Sequence, residues 1–163
     1  MFKKILICLD GTKLAEQILP YAELASLCGG KAVLLQVLEL SKAFPPASMP
    51  AFAPTYFSNE QVELQVEGLE NEAEGYLDLQ AKKLREDGID VDCVVLEGIP
   101  GEAIINYAES NGVDLIAIAT HGRGGLGRVA FGSVADFVLK KAGRPVLLIR
   151  PKRIEAGESR SEG

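Results

Sequence analysis

Hydrophobic and polar residues along this chain form two kinds of block. Five short runs of mostly consecutive apolar residues are typical of strands buried on both faces of a parallel sheet. Between them, apolar residues recur every three or four positions, which predicts helices. The predicted strands are Lys4–Leu9, Lys31–Leu38, Ile89–Leu96, Val113–Ala119 and Val146–Arg150.

Four helical patterns separate these strands. The first follows Thr12, which can cap it, and contains Pro20, so we expect a kink or a fresh helical start there. The third begins at Pro100, a residue suited to a first helical position. The fourth spans Ser133–Ala142.

The longest connection comes before the second helix. Residues 41–57 contain four prolines and no helical or strand period, which predicts a long loop. Its apolar side chains suggest that it lies on another surface, such as a partner subunit. Ser58 and Gln61 then form a capping box, and the helical spacing continues to about Asp87.

The strict alternation of strands and helices predicts one α/β domain over residues 1–151. Its sheet would be doubly wound, with five parallel strands in the order 3-2-1-4-5 and helices on both faces. Ligands of such sheets bind beyond the carboxyl ends of the strands, where the strand order reverses. Strands one and four meet there, which brings Asp10 close to the glycine-rich loop Thr120–Phe131. The polar tail, 152–163, is expected to be disordered.

Composition narrows the class of protein. The chain has 163 residues, 47% of them hydrophobic, and a formal net charge of −6, which argues against a nucleic-acid surface. No apolar run approaches the roughly 20 residues that span a bilayer, so no membrane partner is expected. Residues 1–4 lead straight into a predicted strand of about six residues, which is too short for the apolar region of an export signal, so no such signal is expected. The cysteines, Cys8, Cys28 and Cys93, lack metal-site spacing, and we expect buried, reduced thiols in a cytoplasmic protein.

The glycine-rich loop matches two well-known nucleotide motifs only in part. Gly122 to Gly127 fits G-x-G-x-x-G, but it follows the fourth strand, and Arg150 ends the strand where a ribose-binding acid would be expected. The same stretch approaches a P-loop, but Arg128 and Val129 replace the lysine and the magnesium-binding hydroxyl. Neither a dinucleotide fold nor a P-loop mechanism follows.

A third pattern fits better. Ala119, two residues, Gly122, nine residues and then Gly132-Ser133 resembles the nucleotide-binding signature of the universal stress protein family, G-x2-G-x9-G-[S/T]. The resemblance extends over nearly the whole chain, and the first signature glycine is replaced by Ala119. Further matching positions are Asp10, Val37, Gly98-x-Pro100, Thr120-His121-Gly122 and the closing 144–150.

The resemblance implies an adenine nucleotide alpha-hydrolase-like, Rossmann-like fold and a regulatory protein of the stress response. It implies binding of ATP, or of AMP or another adenine nucleotide, with Mg²⁺ as a possible companion of the phosphates. It also implies a homodimer built through strand 146–150 and a protein partner of unknown identity. Two alternatives stay open: a slow ATP hydrolase, and a dimeric interaction module without a functional nucleotide.

Site residues follow from the same resemblance. Asp10 and the backbone at Val37 would meet the base and the sugar, while Arg123 and Arg128 could add charge near the phosphates. Plainer roles are open: Asp10 and Ser133 can cap helices, and the lone His121 can be structural. No catalytic or metal-ligating set is predicted. The residues expected around ribose and phosphates are Ala119, Thr120, His121, Gly122, Gly132, Ser133 and Val134.

Overall fold

The computed structural model describes residues 1–43, 59–120 and 132–152. Five strands and five α-helices occur in these ranges, with a 3-10 helix, Ala15–Ala22, after the first strand. The strands are β1 Lys4–Leu9, β2 Lys31–Leu38, β3 Val91–Glu97, β4 Leu115–Ala119 and β5 Val146–Ile149. The helices are α1 Glu23–Leu27, α2 Leu40–Ala43, α3 Asn59–Glu86, α4 Pro100–Ser110 and α5 Ser133–Lys141.

The five strands form one parallel sheet in the order β3-β2-β1-β4-β5. The predicted strand order and doubly wound class are confirmed. At the centre, Ile7 of β1 lies opposite Leu34 of β2 and Ala117 of β4. The order reverses between β1 and β4, which places the switch point at their carboxyl ends.

Side chains of β1 alternate between two cores, one on each face of the sheet. Ile5, Ile7 and Leu9 pack with residues of the 3-10 helix, α1 and α3. Leu6 and Cys8 point the other way and pack against α4 and α5. Because both faces of the strand are buried, an uninterrupted apolar run is the pattern its sequence requires.

The first helical stretch is split at the proline-containing turn. Residues up to Ala22 form the 3-10 helix, which contains Pro20, and a fresh α-helix begins at Glu23. Because proline lacks the N–H that an α-helix would use, the tighter helix and the restart are compatible with its position. The hydroxyl of Thr12 accepts a hydrogen bond from the N–H of Ala15 at 3.2 Å, close to the capping role predicted for it.

Several element ends differ from the sequence prediction. β4 starts at Leu115 rather than Val113 because Asp114 turns toward the amino terminus, where its carboxylate accepts the N–H groups of Lys3 and Lys4. α5 ends at Lys141, β3 runs from Val91 to Glu97 and β5 ends at Ile149. Residues 40–43 form the short helix α2, which overlaps the start of the predicted loop, 41–57. The rest of that loop and the capping residue Ser58 lie outside the described residues, as does the tail from 153 onward.

All three cysteines are unbridged, but only one is buried. Cys8 lies in the core, whereas Cys28 and Cys93 are half-buried, so the expectation of three buried thiols is wrong for the latter two. Cys28 follows the short helix α1 and Cys93 lies on edge strand β3, where the layers of the fold cover less of each side chain. No helix in the described ranges has the length and apolar character needed to cross a bilayer.

Candidate functional site

A cleft of about 590 Å³ opens at the carboxyl ends of β1, β2 and β4. Its floor is formed by the strand ends, and the amino-terminal turn of α5 forms one wall. The cleft therefore lies at the switch point of the sheet, where ligands of doubly wound folds bind. Six of the predicted site residues line it: Asp10, Val37, Ala119, Gly132, Ser133 and Val134.

Asp10 is the residue directly after β1, and its carboxylate is held by the turn that follows. Oδ1 accepts the N–H of Thr12 at 3.0 Å and the hydroxyl hydrogen of Thr12 at 2.7 Å. Gly11 between them has φ +80°, a left-handed conformation that favours glycine. This Asx-type turn fixes an exposed carboxylate at the edge of the cleft.

The strand ends make the floor of the cleft apolar. Val37 lies near the end of β2, and its side chain packs on the α4 and α5 face of the sheet. Ala119, the last residue of β4, is 7% exposed and lines the cleft. The next residue, Thr120, is buried, and its N–H donates to the carbonyl of Ile149 at 2.9 Å. That N–H is therefore part of the sheet rather than a donor directed at a ligand.

The amino terminus of α5 faces the cleft. Gly132 precedes the helix, Ser133 is exposed and Val134 is half-buried, and no side chain within the described ranges caps this end. The N–H groups of a first helical turn have no carbonyl partners within the helix, and the helix dipole adds partial positive charge there. Together they make this wall of the cleft a site for an anionic group.

Other parts of the cleft were not among the residues singled out from the sequence. Glu39 and Lys42, which form an ion pair, line it beside β2, and Leu69 of α3 contributes from across the cleft. Leu69 belongs to the helical apolar spacing of α3, so its burial was predictable but its position at the cleft was not. Pro100 and Ile104 of α4 complete the apolar lining.

The sequence profile of the universal stress protein family matches residues 1–150 of this chain. The chain belongs to the universal stress protein family. Its sequence is 32% identical over 157 residues to universal stress protein MJ0577 of Methanocaldococcus jannaschii, covering 93% of this chain and 97% of that protein. It is 28% identical over 160 residues to universal stress protein YxiE of Bacillus subtilis, covering 92% of this chain and 100% of YxiE.

Solved structures of universal stress proteins share the fold. The structure of MJ0577 superposes with a TM-score of 0.74 at 30% identity, over 94% of this chain and 99% of that one. An Arabidopsis thaliana family member with AMP bound has a TM-score of 0.65 at 16% identity, over 96% of this chain and 97% of that one. A universal stress protein in complex with cAMP has a TM-score of 0.65 at 14% identity, over 93% and 98% of the two chains.

Part of the universal stress protein signature lies outside the described residues. His121, Gly122 and Arg123 fall there, together with Arg128. The two ends of the signature, Ala119 and Gly132-Ser133, are described, and both line the same cleft. The roles of all the predicted contact residues stay predictions.

Two titratable groups have raised pKa values, one in the lining of the cleft and one near Asp10. Burial raises the pKa of the Cys8 thiol to about 12, so this cleft-lining thiol is protonated at neutral pH. Burial, together with the nearby carboxylates of Glu16 and Asp10, raises the pKa of Tyr76 above its usual range. In residues 1–43, 59–120 and 132–152, no three His, Cys, Asp or Glu side chains are grouped as metal ligands.

Proposed function

We propose that this universal stress protein is an adenine-nucleotide-binding regulatory protein that acts in the cytoplasm, with ATP as its ligand. The observation that supports this most strongly is the cleft at the switch point, with the carboxylate of Asp10 at its edge and the amino terminus of α5 as one wall. Relatives with AMP and cAMP bound support the choice of an adenine nucleotide.

The chemistry of the cleft matches the parts of such a ligand. Apolar side chains such as Leu35, Val37 and Ile104 suit the faces of a purine base. The fixed carboxylate of Asp10 is an acceptor for ribose hydroxyl groups. The N–H groups of Ser133 and Val134 are donors for phosphate oxygens.

Mg²⁺ would be held mainly by the phosphates. Magnesium keeps several waters and binds proteins through one or two carboxylates together with substrate phosphates. Since the carboxylate of Asp10 is assigned to the ribose, the proposed Mg²⁺ is bound through the phosphates and water, and the cleft does not need a preformed metal site. The proposed role is binding and signalling. Turnover of ATP at about 1 per second or more would show instead that the protein is an ATP hydrolase.

The regulatory unit we propose is a homodimer formed along β5. This strand pairs with β4 on one side and is an edge of the sheet. Its four residues, Val146 to Ile149, are all apolar and all half-buried. An apolar strand with one unpaired edge is suited to pairing with a second copy.

Isothermal titration with ATP, AMP and cAMP tests the proposal. We expect saturable binding below millimolar for the parent chain and a loss of more than tenfold in affinity for Ala119→Leu, whose larger side chain would fill the floor of the cleft. Leu27→Ala is the matched control, because Leu27 is 74% exposed and does not line the cleft. Absence of saturable binding by the parent chain to any of the three nucleotides would reject the function.

A further inference from the structure

The groups that line the cleft differ in chemistry from one strand to the next. Helix α5 connects β4 to β5 and packs on β5, and its amino terminus suits phosphate oxygens. Asp10 follows β1, the next strand of the sheet, and β2 lies about 5 Å beyond β1. A nucleotide with its phosphates at α5 and its ribose at Asp10 therefore has its base at the end of β2.

A carboxylate lines the cleft at this end of β2. Glu39 is the first residue after the strand, is half-buried and lies two positions beyond Val37. Its Oε2 forms an ion pair with Nζ of Lys42 at 2.5 Å. Within the described part of the chain its Oε1 has one polar contact, the hydroxyl of Ser41 at 3.5 Å, which is longer than an ordinary O–H···O hydrogen bond. One oxygen is thus held in place, and the other can still accept a hydrogen bond.

The hydrogen-bonding capacity of Glu39 distinguishes between purine bases. An ionised carboxylate accepts hydrogen bonds and cannot donate them. Adenine has an amino group, a donor, at position 6, whereas guanine has a carbonyl oxygen, an acceptor, at the same position. Guanine can also meet a carboxylate through its N1–H and 2-amino groups, but that contact takes both oxygens, and Lys42 holds one of them. The arrangement of Glu39 therefore favours adenine.

We propose that Glu39 is the residue that selects adenine, with its Oε1 accepting a hydrogen bond from the 6-amino group of the base. Lys42 is a positioning residue, since its ammonium group holds Oε2 and fixes the carboxylate at the end of β2. This inference rests on the proposed function, because it names the group that recognises the base of the proposed nucleotide. It concerns the choice of base, which is measured separately from binding itself.

Isothermal titration with ATP and with purine riboside 5′-triphosphate tests the proposal, because the second nucleotide lacks the 6-amino group. The parent chain should bind ATP about tenfold or more tightly, as expected for one hydrogen bond to a charged group. Glu39→Ala should lose this preference through weaker binding of ATP, with its affinity for the purine riboside nucleotide unchanged. Glu23→Ala is the matched control, because Glu23 is an exposed glutamate that does not line the cleft, and it should keep the preference of the parent chain.

Two further variants separate hydrogen bonding from packing. Glu39→Gln keeps the length of the side chain and adds an amide donor, so it should bind ITP, whose base has a carbonyl at position 6, several-fold more tightly than the parent chain does. Lys42→Met should reduce the preference for ATP over the purine riboside nucleotide several-fold. It should have no further effect on that preference in Glu39→Ala, because the two side chains act through one contact. Circular dichroism confirms that each variant is folded.

The possible failures of the proposal and of the proposed function differ in these titrations. Equal affinity of the parent chain for ATP and the purine riboside nucleotide, or an unchanged preference in Glu39→Ala, would overturn the proposal and leave nucleotide binding standing. Tighter binding of GTP than of ATP would also overturn it, since the base at Glu39 would then present its N1–H and 2-amino groups. Failure of the parent chain to bind any of these nucleotides would reject the proposed function, and the selection of adenine with it.

Discussion

Gln17 binds the backbone of Lys152 with both ends of its side-chain amide. Its Nε2 donates to the carbonyl of Lys152 at 2.8 Å, and its Oε1 accepts the N–H of Lys152, also at 2.8 Å. The amide thus makes the two hydrogen bonds that a neighbouring strand would make. It ties the residues after β5 to the 3-10 helix that follows Asp10.

Removing this pair of hydrogen bonds is expected to destabilise the chain slightly. Gln17→Met keeps the length of the side chain and loses both bonds, so the free energy of unfolding should fall by about 1 kcal/mol. Urea denaturation measures the change. Lys13→Met is the control, because Lys13 is 72% exposed and its ion pair with Glu16 should contribute little. Equal stability of the Gln17 variant and the parent chain would show that the pair adds nothing net.

Helices α4 and α5 meet where a glycine faces an aromatic ring. A Cβ added at Gly101 would lie 2.7 Å from Cδ1 of Phe137, which is too close for either to stay in place. In Gly101→Ala this overlap should lower the free energy of unfolding by about 1–3 kcal/mol. The higher helix propensity of alanine should offset up to about 1 kcal/mol of that loss. Thermal and urea denaturation test this expectation.

The control for Gly101 is a helical glycine in open space. A Cβ at Gly75 in α3 would meet no atom within 4 Å. Gly75→Ala should raise stability by up to about 1 kcal/mol through helix propensity alone. Combining Gly101→Ala with Phe137→Leu should recover part of the loss if the overlap with the ring is its cause. A stabilising effect of Gly101→Ala by itself would contradict the packing.

Asp114 makes the stability of the amino terminus depend on pH. Its carboxylate accepts the N–H groups of Lys4 at 2.9 Å and Lys3 at 2.8 Å, and these bonds hold the pKa of Asp114 below its ordinary value. A lowered pKa stabilises the fold above the pKa of the unfolded chain, and this stabilisation is lost as pH falls through the folded pKa.

Asp114→Asn removes the carboxylate that titrates, so comparing the stability of this variant with that of the parent chain isolates its effect. The parent chain should be more stable than the variant by a constant amount at neutral pH, and the difference should shrink below about pH 4. Urea denaturation between neutral and acidic pH measures it. A difference that grows toward acidic pH would mean that the pKa of Asp114 is not lowered in the folded chain.

The proposed dimer predicts a change of mass in solution. Leu148→Lys places a charge on edge strand β5, and its desolvation opposes pairing with a second copy. Sedimentation velocity should show a dimer for the parent chain and a monomer for this variant. Leu139→Lys on α5 is the control because Leu139 is already 40% exposed. If Leu148→Lys sediments as the parent chain does, β5 is not the interface.

The sequence predicts the fold well because each strand carries its own signal. β1 and β2 are found over the predicted residues, since strands buried on both faces need uninterrupted apolar runs. The 3-10 helix could not be predicted in the same way. Its apolar spacing resembles that of an α-helix, and the two differ only in which carbonyl each N–H contacts.

The cleft is only partly predictable for a different reason. Asp10 and Ser133 follow from topology, because both lie at the carboxyl edge of a sheet whose strand order is predicted. Leu69 and Lys42 reach the cleft from α3 and α2, and no spacing rule relates them to β1 or β4. The pairing of Thr120 with Ile149 is likewise a matter of register between strands rather than of local sequence.

Nuclear magnetic resonance of the isotope-labelled chain, titrated with ATP, tests most directly that the nucleotide binds in the cleft at the switch point. We expect saturable shifts of the backbone amide signals of Asp10, Val37, Gly132, Ser133 and Val134. We expect small shifts for Ser26 and Leu27, which line a separate groove between α1 and α3. Saturable shifts confined to that groove, with the signals of Ser133 and Val134 unchanged, would contradict binding in the cleft.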